Sequence, residues 1–414
     1  MALINRHGWL GTLLAGGTAL LLAACVASTP EPQEKKALVF PEAPDDPRFI
    51  YERSFYSSAD VEGGNEDSYG VQAFLTGEDG RSGTAFVKPY GVAARQGRVY
   101  VSDTAKRTVF LFDPARGAFK EIGKGDQGVL AKPMGMDLDQ AGNLYVMDVT
   151  AKRVMVYDPD GNFLRGLGGK ELFDKPSSVA VNPEGSKVYV VDTSSSTGKP
   201  ENHRIRVLDA KEGRLLFDIG RRGDKEGEFN LLRDAAFGTD GLLYVVDGGN
   251  FRVQVFDQNG KFVRKFGQVG RQLGQFARPK GIGMGPDGNA YISDASHANF
   301  QIFNPTGDLL MFVGSRGKTN EPTSYLLPAM ITLDEDGRIY MVDQGYRKVD
   351  VYRPIALKET DGALGQAFVK MRSGEGGASG DKPSKGEKKT APDKAKGGDH
   401  HDHAPADEDD DKDE

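Results

Sequence analysis

The chain of 414 residues has one cysteine and one tryptophan, and both fall within its first 25 positions. A single thiol can form neither an intrachain disulfide nor the paired attachment of a c-type haem, so a disulfide-stapled scaffold and a c-type cytochrome are both excluded. Histidine is nearly as scarce. Between residues 47 and 355 only His203 and His297 occur, too few for a three-histidine zinc site. No apolar stretch after residue 24 is long enough to suggest a transmembrane helix. A glycine-rich loop of phosphate-cradling spacing, a nucleophile elbow and a candidate cysteine nucleophile are all missing. The net charge of −7 also argues against a nucleic-acid partner.

The start of the chain is a different text. Asn5, Arg6 and His7 form a short polar, basic opening, and an apolar stretch follows from Trp9 to Ala24, broken by Gly11, Gly16 and Gly17. That stretch is too short and too glycine-rich for a membrane span and reads as a signal-peptide core. It ends in Leu22-Ala23-Ala24-Cys25, which resembles a bacterial lipobox. The resemblance implies that residues 1–24 are removed, that Cys25 is lipidated, and that its acyl chains hold the protein on a membrane. Val26 stands where an aspartate would resemble an inner-membrane retention signal, so the expected address is the cell envelope, at the outer membrane. Residues 25–46, with Pro30, Pro32, Pro41 and Pro44, read as a tether.

The far end cannot bury a core. Residues 356–370 read as a C-terminal extension, and 371–414 as a tail of glycine, lysine and acidic residues expected to be disordered. His400, His401 and His403 are candidate metal ligands there, though a cluster without a scaffold would bind weakly and unselectively.

Between these ends one phrase returns six times: tyrosine, an apolar residue or its like, any residue, aspartate. It closes on Asp103, Asp148, Asp192, Asp247, Asp294 and Asp343, at intervals of 45, 44, 55, 47 and 49 residues. A period of that length, with short strand-like runs inside each unit, predicts β-propeller blades. In the unit 132–168, which opens with Lys132-Pro133-Met134-Gly135, the segments Met136–Leu138, Leu144–Met147, Val154–Tyr157 and Phe163–Leu167 read as strands. Turn signals at Ala141-Gly142-Asn143 and Asp158-Pro159-Asp160-Gly161 separate them. Four antiparallel strands make one blade.

With spaced glycines before an aromatic residue, as in Gly267, Gly270, Gly274 and Phe276, this pattern resembles the NHL repeat family of six-bladed propellers across most of residues 88–352. The second and fifth units match the pattern best, the fourth lacks the opening proline, and the third carries an insertion near Ser195. The expected fold is therefore all-β, a six-bladed propeller of four-stranded antiparallel blades over 47–355. The sixth unit supplies only three strands, so the alternating segment 48–55 is expected to close the last blade and remove its exposed edge.

The six aspartates end second strands beside loops carrying Arg107, Arg153, Arg204, Arg252 and Arg347. They are expected to cap turns and pair with those arginines rather than to bind a ligand, and the tyrosines to pack within blades. A calcium-dependent lactonase would need oxygen ligands on the innermost strands. The positions two after the opening proline are Gly91, Gly135, Ser178, Asp234, Gly281 and Met330, and only Asp234 is charged. No complete catalytic constellation emerges, and no cofactor is expected.

One candidate binding feature remains. Lys88, Lys132, Lys175, Arg233, Arg278 and Lys280 stand near the starts of innermost strands, with Asp234 beside Arg233. On a propeller those starts gather around one mouth of the channel, and a basic collar there would attract an acidic partner. The expected function is thus a non-catalytic, lipid-anchored, monomeric platform for envelope proteins. Similar lipoproteins resemble companions of multihaem cytochromes. The alternatives are a small ligand or acidic glycan at the channel mouth, the glycan version weakened by the missing tryptophan, and, third, a propeller lyase or lactonase.

Overall fold

A computed structural model describes residues 37–62, 83–194 and 200–374. Cys25, the greater part of the tether and the three tail histidines lie outside them. The strands form six antiparallel sheets arranged in sequence as blades, with a two-stranded parallel ribbon, Ser315–Arg316 and Ser324–Tyr325, on the link into the sixth. Their innermost strands are Pro89–Arg95, Pro133–Leu138, Pro176–Val181, Leu232–Phe237, Pro279–Met284 and Pro328–Leu333. Each blade then steps outward by hairpins, as in Leu144–Asp148, Arg153–Tyr157 and Phe163–Leu167 of the second. The all-β six-bladed fold read from the repeat is the one observed.

There is no single core. Six apolar clusters fill the spaces between neighbouring blades, one per interface. This follows from the period of two along each strand: alternate valines and isoleucines face opposite blades. The repeated tyrosines Tyr100, Tyr145, Tyr189, Tyr244, Tyr291 and Tyr340 are at most 2% exposed. Burial of their rings leaves the hydroxyls to be satisfied. Tyr100 and Tyr189 donate to the Pro159 and Gln258 carbonyls of the next blade, while Tyr244 and Tyr340 donate to Asp240 and Asp334 in their own turns.

Phe49–Phe55 pairs antiparallel with Lys348–Pro354 and becomes the fourth strand of the last blade. A fifth, Val39–Phe40, pairs outside it, so ordered structure begins inside the span read as tether. The closure carries charge into the interior. Arg338, fully buried, donates through Nε to Glu52 Oε2 at 2.8 Å. Lys348 Nζ lies 2.8 Å from Asp350, both fully buried, and Ser54 donates to the same carboxylate.

The span 356–374 holds an element that composition did not announce. Helix α1, Gly362–Ser373, packs Leu364 and Phe368 into the cluster between the sixth and first blades, beside Phe55. The Arg53 guanidinium stacks 3.6 Å over the Phe368 ring, and Asp361 offers its carbonyl to Arg338. The helix can approach only because residue 97 is glycine. Its φ is +75°, and an added Cβ would stand 2.7 Å from the Ala363 carbonyl oxygen. The first three residues of the span read as tail, Met371 to Ser373, therefore belong to this helix.

Replacing Glu52 by alanine would leave the Arg338 guanidinium buried without its carboxylate, at an expected cost of about 3–5 kcal/mol. The exposed Arg116→Ala change, by contrast, should cost less than about 1 kcal/mol. Urea unfolding of the two variants checks this, and an equal effect would remove the closure from its central place. Deletion of 48–55 should abolish cooperative unfolding altogether.

Candidate functional site

The six repeat aspartates are all fully buried, and none faces the channel. Asp103 takes the N–H groups of Val87 and Lys88 on one oxygen and those of Ala105 and Lys106 on the other. Asp148 takes Ala131 on one oxygen and Lys132, Thr150 and Ala151 on the other. Asp294 repeats the Asp103 arrangement with Ala277, Arg278, Ser296 and His297. Each carboxylate therefore ties the link entering its blade to its own loop between second and third strands. The expected pairing with arginine occurs at one position among the described residues, Arg252 Nε to Asp247 at 2.8 Å. Arg107 and Arg347 occupy left-handed backbone positions four residues after the aspartate (φ 58° and 56°). Arg153 donates to the Gly168 carbonyl, and Arg204 pairs with Asp218. Backbone N–H groups, which any residue supplies, take the place assigned to the arginines.

The same clamps position the collar. Lys88, Lys132, Lys175 and Arg278 each give their own backbone N–H to a repeat aspartate. They are exposed, while Arg233 and Lys280 are half-buried. Among the described residues none of the six side chains forms an ion pair. Lys132, Lys175 and Arg233, joined by Lys152 and Tyr90, border a vestibule of about 500 Å³. Burial, then Arg233 and Arg278, push the Lys280 amine down to about 8. The sixth blade has Leu326 and Leu327 where the others place cations. Val87, Leu231 and Leu326, at least 43% exposed, stand on the same links.

Behind the vestibule the channel narrows at the positions two after the opening proline. Gly135 must be glycine there, because a Cβ would meet Ser178 Oγ at 2.0 Å and its Cα at 2.7 Å. Asp234 bridges three blades at this waist, accepting from Ser178 Oγ at 2.6 Å and from the Ile282 N–H at 3.0 Å. Beyond the waist a second cavity of about 460 Å³ opens toward the opposite face, lined by Asp137, Ser178, Asn182 and Asp234 among others.

Asp137 is a channel residue that the sequence reading passed over. It accepts from the Val181 and Leu138 N–H groups, both at 2.8 Å. Desolvation, reinforced by Asp234 and Asp139, raises its carboxyl to about 7 against those hydrogen bonds. Burial raises Asp234 to about 6, opposed by Ser178 and the Ile282 and Ala235 N–H groups. Two such carboxyls can take up and release protons near neutrality. Among the described residues no three His, Cys, Asp or Glu side chains are grouped to hold a metal ion. His203 lies away from the channel lining, fully buried and pushed down to about 4 by burial and Arg222. His297 sits 3.4 Å from Asp294 in the corresponding loop of the fifth blade.

Residues 229–256, which hold the first three strands of the fourth blade, match the NHL repeat model. The chain carries an NHL repeat. The matched blade is the one without the opening proline, not the second or fifth. Protein brain tumor of Drosophila melanogaster is 35% identical over 96 residues, 23% of this chain and 8% of that protein. Human tripartite motif-containing protein 2 is 35% identical over 71 residues, 17% of this chain and 9% of that protein. The chain thus spans under a tenth of the length of these curated relatives. A Bacteroides thetaiotaomicron protein described as of unknown function superposes with a TM-score of 0.54 at 16% identity, over 66% of this chain and 71% of that one. That likeness is one of fold. The buried aspartate and the tyrosine of the matched blade recur in its five neighbours.

The two raised carboxyls make stability depend on pH. The folded state binds these protons more tightly than the unfolded chain, so their contribution is complete below about pH 4 and is lost as pH rises through about 6 to 7. Urea midpoints measured from pH 4 to 8 should therefore fall with pH, and the Asp137→Asn variant should show a flatter profile. An identical slope in the variant would contradict the assignment.

Proposed function

We propose that the protein is a docking module whose basic mouth receives an acidic face of a partner protein. The observation that carries this reading is the collar: six cations that form no ion pair among the described residues, four of them fixed by buried aspartates, with exposed apolar residues on the same links. Charges arranged this way steer encounter and set register, while desolvated apolar contacts supply affinity. NHL-repeat relatives support a binding role. On the resemblance of residues 22–25 to a lipobox, the module is held on the cell envelope through acylated Cys25. Envelope electron-transfer proteins such as multihaem cytochromes are the first partners to test. The concave vestibule favours one second reading, capture of a small anionic ligand at the same mouth.

Crosslinking in intact cells, followed by recovery of the tagged protein, should give partner bands that disappear when Lys132, Lys175 and Arg233 are changed to glutamate. Affinity for a recovered partner should fall by roughly two orders of magnitude, while Lys261→Glu on the opposite face leaves it unchanged. Equal recovery from all three proteins would end the docking reading. Separately, Cys25→Ala should move the protein from the membrane pellet to the soluble fraction.

A further inference from the structure

The net charge is unevenly placed along the chain. Residues 407–414 contain seven carboxylates and one lysine, a balance of −6, against −7 for all 414 residues. The rest of the protein is therefore close to neutral, and this run is its one strong concentration of negative charge. We propose that, when no partner is docked, the run 407–414 occupies the basic vestibule of its own propeller, so that a partner must displace it. The proposal rests on the docking reading above and adds the occupant that precedes the partner.

Charge and placement favour this match. The vestibule brings Lys132, Lys152, Lys175 and Arg233 around one half-open space of about 500 Å³, with Asp174 as the carboxylate on the same wall, so four cations face one anion there. Like charges gathered at one mouth attract an acidic segment. Ser177 and Thr193 on that wall already donate to the Arg233 and Leu232 carbonyls.

The chain is long enough to reach. Helix α1 ends at the far face, where Met371 lies beside Gly117 in the turn between third and fourth strands of the first blade. From Gly374 to Asp407 there are 33 residues, a contour of about 110 Å. An innermost strand of seven residues is only about 23 Å tall. Blocks of like charge commonly act as interaction segments. The nearest competitor is the chain itself, since six lysines fall between 382 and 396.

Zero-length carbodiimide crosslinking of the full chain, read by peptide mass mapping, separates these outcomes. At about 50 mM salt, carboxylates of 407–414 should join Lys132, Lys152 and Lys175, and the links should fade at about 500 mM. Links confined to the lysines of 382–396, or spread equally to Lys261 on the opposite face, would overturn the proposal. A second arm uses a labelled deca-glutamate peptide and a variant whose seven carboxylates are replaced by Asn or Gln. The peptide should bind that variant roughly tenfold more tightly than the native chain. Equal binding to both would remove self-occupancy and leave the docking reading intact, whereas binding to neither would remove both.

Discussion

A buried carboxylate accepting backbone N–H groups from two separate loops is the interaction on which this molecule depends. It is seen at Asp103, Asp148, Asp294 and Asp343, while Asp192 and Asp247 accept from the entering link and Asp247 takes Asn250 and Arg252 side chains besides. In all six blades the aspartate fixes the link by which one blade enters the next, and it holds the side chains on that link at one face. An N–H group buried without an acceptor costs about 1–3 kcal/mol, and the four aspartates named first each satisfy at least three. The collar's cations are thus surface groups on a rigid frame, which lowers the entropy cost of presenting them to a ligand.

The channel shows how one strand layer can separate two chemistries. On one side of the waist Tyr90, Ser177 and Arg233, near the starts of innermost strands, line a basic vestibule. On the other, residues further along the same strands place Asp137 among backbone N–H groups. Close approach of the strands at Gly135 and Ser178 leaves little passage between the two. Charge of opposite sign is therefore held at opposite ends of a molecule whose fold treats the blades as equivalent.

Much of this was legible in the chain. The spacing of the repeat announced the blades, because each must alternate with period two and turn at fixed points, and the missing strand of the sixth unit pointed to 48–55. Three things were not legible. The partner of each aspartate could not be read, because backbone donors leave no mark in sequence and arginine beside aspartate suggests a pair by default. Asp137 escaped because only the positions two after the proline were weighed, although period two places 135 and 137 on the same strand face. Helix α1 was hidden by its glycines, and its spacing of Leu364, Phe368 and Met371 is the one trace it left.

The closing strand gives this fold a distinctive order of events. Ser54 meets Asp350 across 296 positions of sequence, so a strand made early pairs with one made late. Until Lys348–Pro354 emerges, Phe49–Phe55 has only the short Val39–Phe40 beside it, and five blades can assemble as an open arc before the ring exists. Bringing such distant segments together costs entropy only as the logarithm of the length between them, but it cannot begin early. Completion of the circle is thereby a record that the whole propeller has been made, and any truncated product is left with a bare edge at either end of the arc.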